Sequence, residues 1–270
     1  LMLLAQTLKT NRENQMIESL QSPHVARVKA LLSSKKDRTE SKLFVAEGIQ
    51  GVREALLIEG EVETLYLTYS GAERMQKAGI DYSFVNVVEV ADKVADAMSD
   101  AITSQGIVAI CKMAIQSNET ISTLAASHVI YLHEIQDPGN AGTILRTADA
   151  MGISAVVTSP GSVDFYSPKV VRSTAGSLWH IPLYSGVELS ELRKNLPTHN
   201  LYLLDGNGSK SLFEVDFQEP AIWIFGNEAR GLKEEVAGAT RISIAMPGKA
   251  ESLNLAAAAA IVMHEISRGR

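Results

Sequence analysis

Cysteine is all but missing from this sequence, where Cys111 is the single thiol in 270 residues. One cysteine cannot close an internal disulfide, so a cross-linked secreted scaffold is excluded and a reducing, cytoplasmic setting is expected. Cys111 ends the apolar run Gly106-Ile107-Val108-Ala109-Ile110, which marks it as a buried structural thiol. Long apolar runs are also lacking. Residues 1–5 are apolar but far too short to span a membrane, and no basic start or cleavage pattern follows them. The chain therefore reads as soluble and unexported. Positive charge is not in excess either. A formal net charge of −6 argues against a protein that coats nucleic acid without selectivity, while leaving room for local basic patches.

Several catalytic signatures are absent as well. No G-x-G-x-x-G follows a strand pattern, so the usual dinucleotide fingerprint is lacking. Gly206-Asn207-Gly208-Ser209-Lys210 lacks the Walker spacing and reads as a surface turn. His133-Glu134 and His264-Glu265 are not H-E-x-x-H, and no Cys/His pairing offers a zinc site. No metal is expected, and any catalysis must use an organic cofactor or none. Internal repeats, heptad arrays and low-complexity tracts are not found.

What is present is a globular composition, 46% hydrophobic with a mean hydropathy of +0.04, enough for one large domain or two ordinary ones. Ser22-Pro23 opens an amphipathic helix, serine capping and proline in the first turn. Strand patterns at 43–46, 62–69, 84–88 and 107–111 alternate with helix patterns at 50–58, through Met75, and at 90–98. This alternation predicts a small α/β domain over 16–115 after an unassigned extension, 1–15. The polar stretch 116–120 reads as linker, and 116–270 as a second α/β domain. There, strands at 129–132, 155–158, 183–184, 201–204, 221–225 and 242–246 are separated by helices, including 141–151, 189–196 and a segment opened by Ser167-Pro168. An acidic helical segment is expected after Gly231-Leu232. Strands divided by helices indicate a parallel sheet, whose ligands sit beyond the carboxyl ends of the strands.

The stretch 221–266 concentrates the signals. The run 221–225 is a buried strand ending at Gly226, where lack of a side chain lets the backbone approach a ligand. A second strand stops at Pro247-Gly248, and Ser252-Leu253-Asn254 opens a helix rich in alanine. Phe225-Gly226-Asn227-Glu228-Ala229-Arg230-Gly231-Leu232 resembles the second signature of the SpoU (TrmH-type) RNA ribose 2′-O-methyltransferases of the SPOUT class. Ile244-Ala245-Met246-Pro247 followed by Ser252-Leu253-Asn254 resembles the third, with Ala245 where proline is commoner. Asp137-Pro138-Gly139-Asn140 through Arg146 resembles the first. Three motifs in order are far more specific than any single glycine pattern.

The resemblance implies a C-terminal domain with a parallel sheet and a deep trefoil knot, a homodimer, and methyl transfer from S-adenosylmethionine to a ribose 2′-hydroxyl. Ribosomal RNA is the expected substrate. A transfer-RNA enzyme, a base methylase or a catalytically silent RNA-binding relative are the alternatives. It implies that Leu204, Gly226, Ile244, Met246 and Leu253 hold the cofactor, although Ile244 and Leu253 also suit plain core positions. It implies catalytic roles for Asn140, Arg146, Glu228, Ser252 and Asn254. Taken alone, Arg146 would pair with Asp149, Asn140 would hold its turn, and Glu228 would be a first-turn helix carboxylate. Ser252 and Asn254 would be helix-start residues. A guanidinium is rarely neutral, so Arg146 suits a clamp on the flanking phosphate and the emerging alkoxide better than a base.

The N-terminal domain resembles the RNA-recruiting module of ribosomal-RNA members of this family, on the strength of the Ser22-Pro23 helix, a basic run and Leu43-Phe44-Val45-Ala46-Glu47-Gly48. Arg27, Lys35, Lys36 and Arg38 are its candidate RNA contacts. Lys169 and Arg172, three apart on a helix face, are candidate phosphate contacts near the target nucleotide. Solvated helix faces are the alternative for both groups.

Overall fold

The computed structural model describes residues 16–114, 116–232 and 236–269. The expected extension 1–15 and most of the expected acidic helix after Leu232 lie outside these residues. The chain divides into two compact units, Leu1–Met113 with Tyr166–Gly176, and Ala114–Phe165 with Ser177–Arg270.

The first unit opens with helix α1 (Pro23–Ser33), whose start is fixed by Ser22 accepting from the His24 amide and by proline in the first turn. Helix α2 (Lys35–Ser41) leads into β1 (Leu43–Glu47), followed by α3 (Gly48–Leu56), β2 (Val62–Leu67) and α4 (Tyr69–Lys77). Then come β3 (Val87–Glu89), α5 (Asp92–Ala97) and β4 (Ile107–Lys112). The four strands are ordered β1-β4-β2-β3, antiparallel except for the β2–β3 pair. Val25, Val28 and Leu31 of α1 pack with Val45, Tyr66, Val108 and Ile110 of the sheet. Cys111 is fully buried, and burial pushes its thiol pKa well up, which keeps it protonated and inert. The third strand begins at Val87 and not at Phe84, which is exposed.

In the second unit the expected linker is partly ordered as a 3-10 helix, Asn118–Leu124, because Ile121 and Leu124 are buried against the core. Next come β5 (Val129–Leu132), α6 (Pro138–Ala150) and β6 (Ala155–Thr158). The segment containing α7 (Pro168–Thr174) belongs to the first unit; it ends before Gly176, whose φ of 102° only glycine adopts readily. The second unit resumes with β7 (Leu183–Ser185), α8 (Leu189–Asn195), β8 (Asn200–Leu204), β9 (Lys210–Ser211), β10 (Ala221–Phe225), β11 (Thr240–Ser243) and α9 (Leu255–Arg268). Its seven strands run parallel in the order β7-β6-β5-β10-β8-β11-β9. The central strands are covered on both faces, so they read as unbroken apolar runs instead of alternating ones. The buried alanines of α9 let it pack closely on α6.

Two boundaries differ in ways that matter for the site. Helix α6 starts at Pro138, so Asp137-Pro138-Gly139-Asn140 is its cap and first turn, with Asp137 accepting from the Asn140 amide at 2.7 Å. Strand β11 stops at Ser243, leaving 244–254 as irregular chain. Its short partner β9 gives it nothing further to pair with. No helix among the described residues is long and apolar enough to cross a membrane.

Candidate active site

The chain segments after β8, β10 and β11 are neighbours because β8 lies between the other two strands. Parallel strands point their carboxyl ends the same way, so these segments rise from one edge of the sheet. With the chain leading into α9 they wall a cavity of about 470 Å³, a size ordinary for small-ligand sites. Leu204, Gly226, Ile244, Met246 and Leu253 all line it, as do Asn140, Glu228, Ser252 and Asn254. Gly226, Met246 and Leu253 lie outside any helix or strand, so no ladder claims their peptide groups.

A chain of hydrogen bonds ties the polar wall together. The Glu228 carboxylate accepts from the main-chain amides of Gln136, at 3.2 and 3.3 Å, and of Asp137, at 3.0 Å, and from Asn140 Nδ2 at 3.4 Å. It therefore sits at the start of α6, where free amides and the helix dipole favour negative charge. Glu228 is a helix-terminus carboxylate after all, but for a helix distant in sequence. Asn140 Oδ1 in turn accepts from Asn254 Nδ2 at 3.0 Å. Asn254 Oδ1 caps α9 by accepting from the amides of Ala256 and Ala257. Each amide orientation follows from its neighbour: Asn254 commits its oxygen to α9, so its nitrogen faces Asn140, whose own nitrogen is left for Glu228. Ser252 is exposed at the rim and makes no side-chain hydrogen bond to any described residue.

At Gly226 the structure shows a reason for glycine within the chain itself. A Cβ there would stand 2.5 Å from the Gly231 carbonyl carbon and 2.6 Å from the Leu232 nitrogen. The glycine lets the loop fold back on itself, and that backbone already excludes a side chain. Asn227 locks that loop. Its side-chain oxygen accepts from the amides of Ala229 and Arg230, and its nitrogen donates to the Glu134 carbonyl at 2.8 Å. Arg230 pairs with the Glu134 carboxylate at 2.8 Å.

Asp205, Gly206, Asn227, Gly231 and Glu251 also line the cavity and were not singled out from the sequence. Asp205 directly follows the end of β8, so the strand-end rule would have found it. Its carboxyl is held below the usual carboxylate range, first by the Asn207 amide and then by Arg241 at 2.6 Å. The expected surface turn at 206–210 is tighter than a free loop. A Cβ on Gly208 would lie 2.6 Å from the Ile242 carbonyl carbon. Among the described residues no three His, Cys, Asp or Glu side chains gather as a metal-binding group.

Arg146 does not line the cavity. It is exposed on α6 and makes no side-chain hydrogen bond or ion pair with a described residue. The alternative pairing with Asp149 is not formed; Asp149 pairs instead with His180 Nδ1 at 2.8 Å. Of the candidate RNA contacts, Lys35, Lys36 and Lys169 are exposed, Lys36 lying 3.8 Å from Glu40. Arg27 forms a two-pronged pair with Glu63 at 2.6 and 3.1 Å. Arg38 is a correction. It is 4% exposed and its Nη1 donates to the carbonyls of Leu31 and Leu32, closing the end of α1, so it cannot reach a phosphate. Arg172 is also engaged, by Glu47 at 2.5 Å and Asp100 at 2.8 Å, within the first unit. Three residues of spacing put Lys169 and Arg172 on one helix face but could not reveal these two acids.

A buried parallel sheet, a cavity at its carboxyl edge and two helix starts bridged by asparagines define an α/β enzyme-like site. Residues 127–264 match the SpoU rRNA Methylase family, and residues 23–109 match the MRM3-like substrate binding domain. The chain belongs to the SpoU rRNA methylase family. It is 32% identical to the 23S rRNA (guanosine(2553)-2′-O)-methyltransferase RlmP of Bacillus subtilis, over 87% of this chain and 92% of that protein. It is 27% identical to a 23S rRNA (uridine(2479)-2′-O)-methyltransferase of Streptomyces viridochromogenes, over 89% of this chain and 88% of the relative. Among solved structures, an AdoMet-bound rRNA methyltransferase from Sinorhizobium meliloti superposes with a TM-score of 0.81 at 30% identity, covering 94% of this chain and 97% of the other.

Proposed function

We propose that this chain transfers a methyl group from S-adenosylmethionine to a ribose 2′-hydroxyl of ribosomal RNA. The observation that carries the reading is the cavity at the ends of β8, β10 and β11, walled on one side by the Glu228–Asn140–Asn254 chain. The family membership and the relatives' names point the same way. The residues suit the donor: apolar side chains of Leu204, Ile244, Met246 and Leu253 face a space of suitable size, and uncommitted peptide groups stand beside them. When bound, S-adenosylmethionine supplies a methyl carbon already activated by a sulfonium. What the protein adds is alignment and management of the hydroxyl proton. Asn140 and Asn254 hold each other, and Ser252 is free to hydrogen-bond the ribose. Arg146, permanently charged, clamps the phosphate flanking the target and stabilises the oxygen as its proton leaves.

In this reading 16–115 recruits RNA, 116–270 is the methyltransferase domain with a trefoil-knotted C-terminal part, and 1–15 is an extension. Arg27, Lys35, Lys36 and Lys169 meet phosphates. The protein works as a cytoplasmic homodimer. The test is incubation with labelled S-adenosylmethionine and undermodified ribosomal or transfer RNA, followed by nucleoside analysis. A labelled 2′-O-methylribonucleoside from ribosomal RNA is expected. Label on a base, on transfer RNA alone or nowhere would overturn the proposal.

A further inference from the structure

The helix that carries Arg146 also carries an acid placed to neutralise it. Asp149 follows Arg146 by three residues on α6, the spacing at which helical side chains meet. No other acid stands three or four residues from Arg146 in either direction. A carboxylate in the last turn of a helix is also disfavoured by the dipole, so Asp149 does not serve the helix itself. Yet Arg146 is left without a partner among the described residues, while Asp149 turns to His180.

His180 follows the 3-10 turn Ser177–Trp179, which packs on α6. Its Nδ1 lies 2.8 Å from Asp149 Oδ2, and since a carboxylate oxygen only accepts, the imidazole donates. We infer that His180 is a positioning residue that occupies Asp149 and so keeps the Arg146 guanidinium available to RNA. The inference rests on the phosphate-clamp reading of Arg146 for its consequence in catalysis, but not for the pairing itself.

The test uses the full chain and the variants His180→Ala, Asp149→Asn and the double variant. Two readouts are taken: steady-state methylation of ribosomal RNA, and the Nε–Hε resonance of Arg146, assigned by its loss in Arg146→Lys. In His180→Ala the freed carboxylate turns to Arg146. The resonance moves, and KM for RNA rises about twofold at low salt, the size of effect an exposed helical ion pair carries. Asp149→Asn alone leaves both near the parent values, and adding it to His180→Ala restores both. A pair that merely braced the fold would make Asp149→Asn as harmful as His180→Ala, with no rescue in the double variant. That result, or an Arg146 resonance unmoved by His180→Ala, overturns the inference. If the resonance moves and recovers as described while Arg146→Ala methylates at the parent rate, the pairing stands and the role given to Arg146 fails.

Discussion

Arg146 and Gly226 pose opposite problems at the scale of single residues. Arg146 has no side-chain partner among the described residues, so its proposed worth lies in what it meets outside the chain. Arg146→Ala is expected to lower kcat by about a hundredfold or more, as loss of a charge-stabilising donor does. Arg146→Lys should fall well short of the parent because it keeps the charge but loses the planar fork. Single-turnover rates with ribosomal RNA check this, and a lysine variant at the parental rate would rule out the clamp. Gly226 lines the cavity, but the space a side chain would need there is filled by its own loop. Gly226→Ala should push Gly231 and Leu232 out of place and weaken S-adenosylmethionine binding, measured by calorimetry, with the loss appearing before RNA is added. An alanine variant with parental affinity would show that the loop tolerates the displacement. The motif identified both positions in the sequence. The reason for glycine at 226 was not legible, because its contact is with a backbone five residues on that only the folded turn brings back.

At the scale of elements, the cationic groups near α1 and α2 separate into two kinds. Arg38 belongs to the fold: removing its guanidinium leaves carbonyls at the end of α1 without their donor. Arg38→Ala should cost about 1–3 kcal/mol of stability in thermal or urea unfolding. Its effect on the salt dependence of RNA binding should be nil. Lys35→Glu with Lys36→Glu should do the reverse, leaving stability intact while weakening RNA binding and flattening its dependence on salt. Both helices follow from local chemistry, Ser22 and Ser34 each capping with a hydroxyl. Amphipathic spacing and caps located most elements to within a few residues. Where the reading failed, tertiary contact was the cause. Residues 116–120 look like a linker until Ile121 and Leu124 find a core, and 244–246 look like strand until β9 proves too short to extend the ladder.

At the scale of the whole molecule, one buried histidine adds to the way stability changes with pH. His199 is buried, with Nε2 bonded to the Ser127 carbonyl at 3.0 Å, and burial lowers its pKa below the ordinary histidine value. The unfolded chain therefore takes up a proton that the folded chain resists. Stability from this group is fully present above about 6.5 and is lost as pH falls through the lowered folded value. His199→Gln should flatten that acid limb in unfolding curves followed from neutral to mildly acid pH, and an unchanged limb would assign it to other groups. The sequence alone determined the α/β class, the apolar strands of a two-faced parallel sheet, and many of the residues that line the cavity at its edge, though not Asp205 or Glu251, and it placed Arg146 with them although that side chain stands apart. These follow from periodicity, from caps and from three motifs in order, all of which act over a few neighbouring residues. Only the tertiary structure decided which charges remain free. Arg38, Arg172 and Arg146 look alike as letters, and each one's fate depends on whether carbonyls or carboxylates from remote segments arrive beside it.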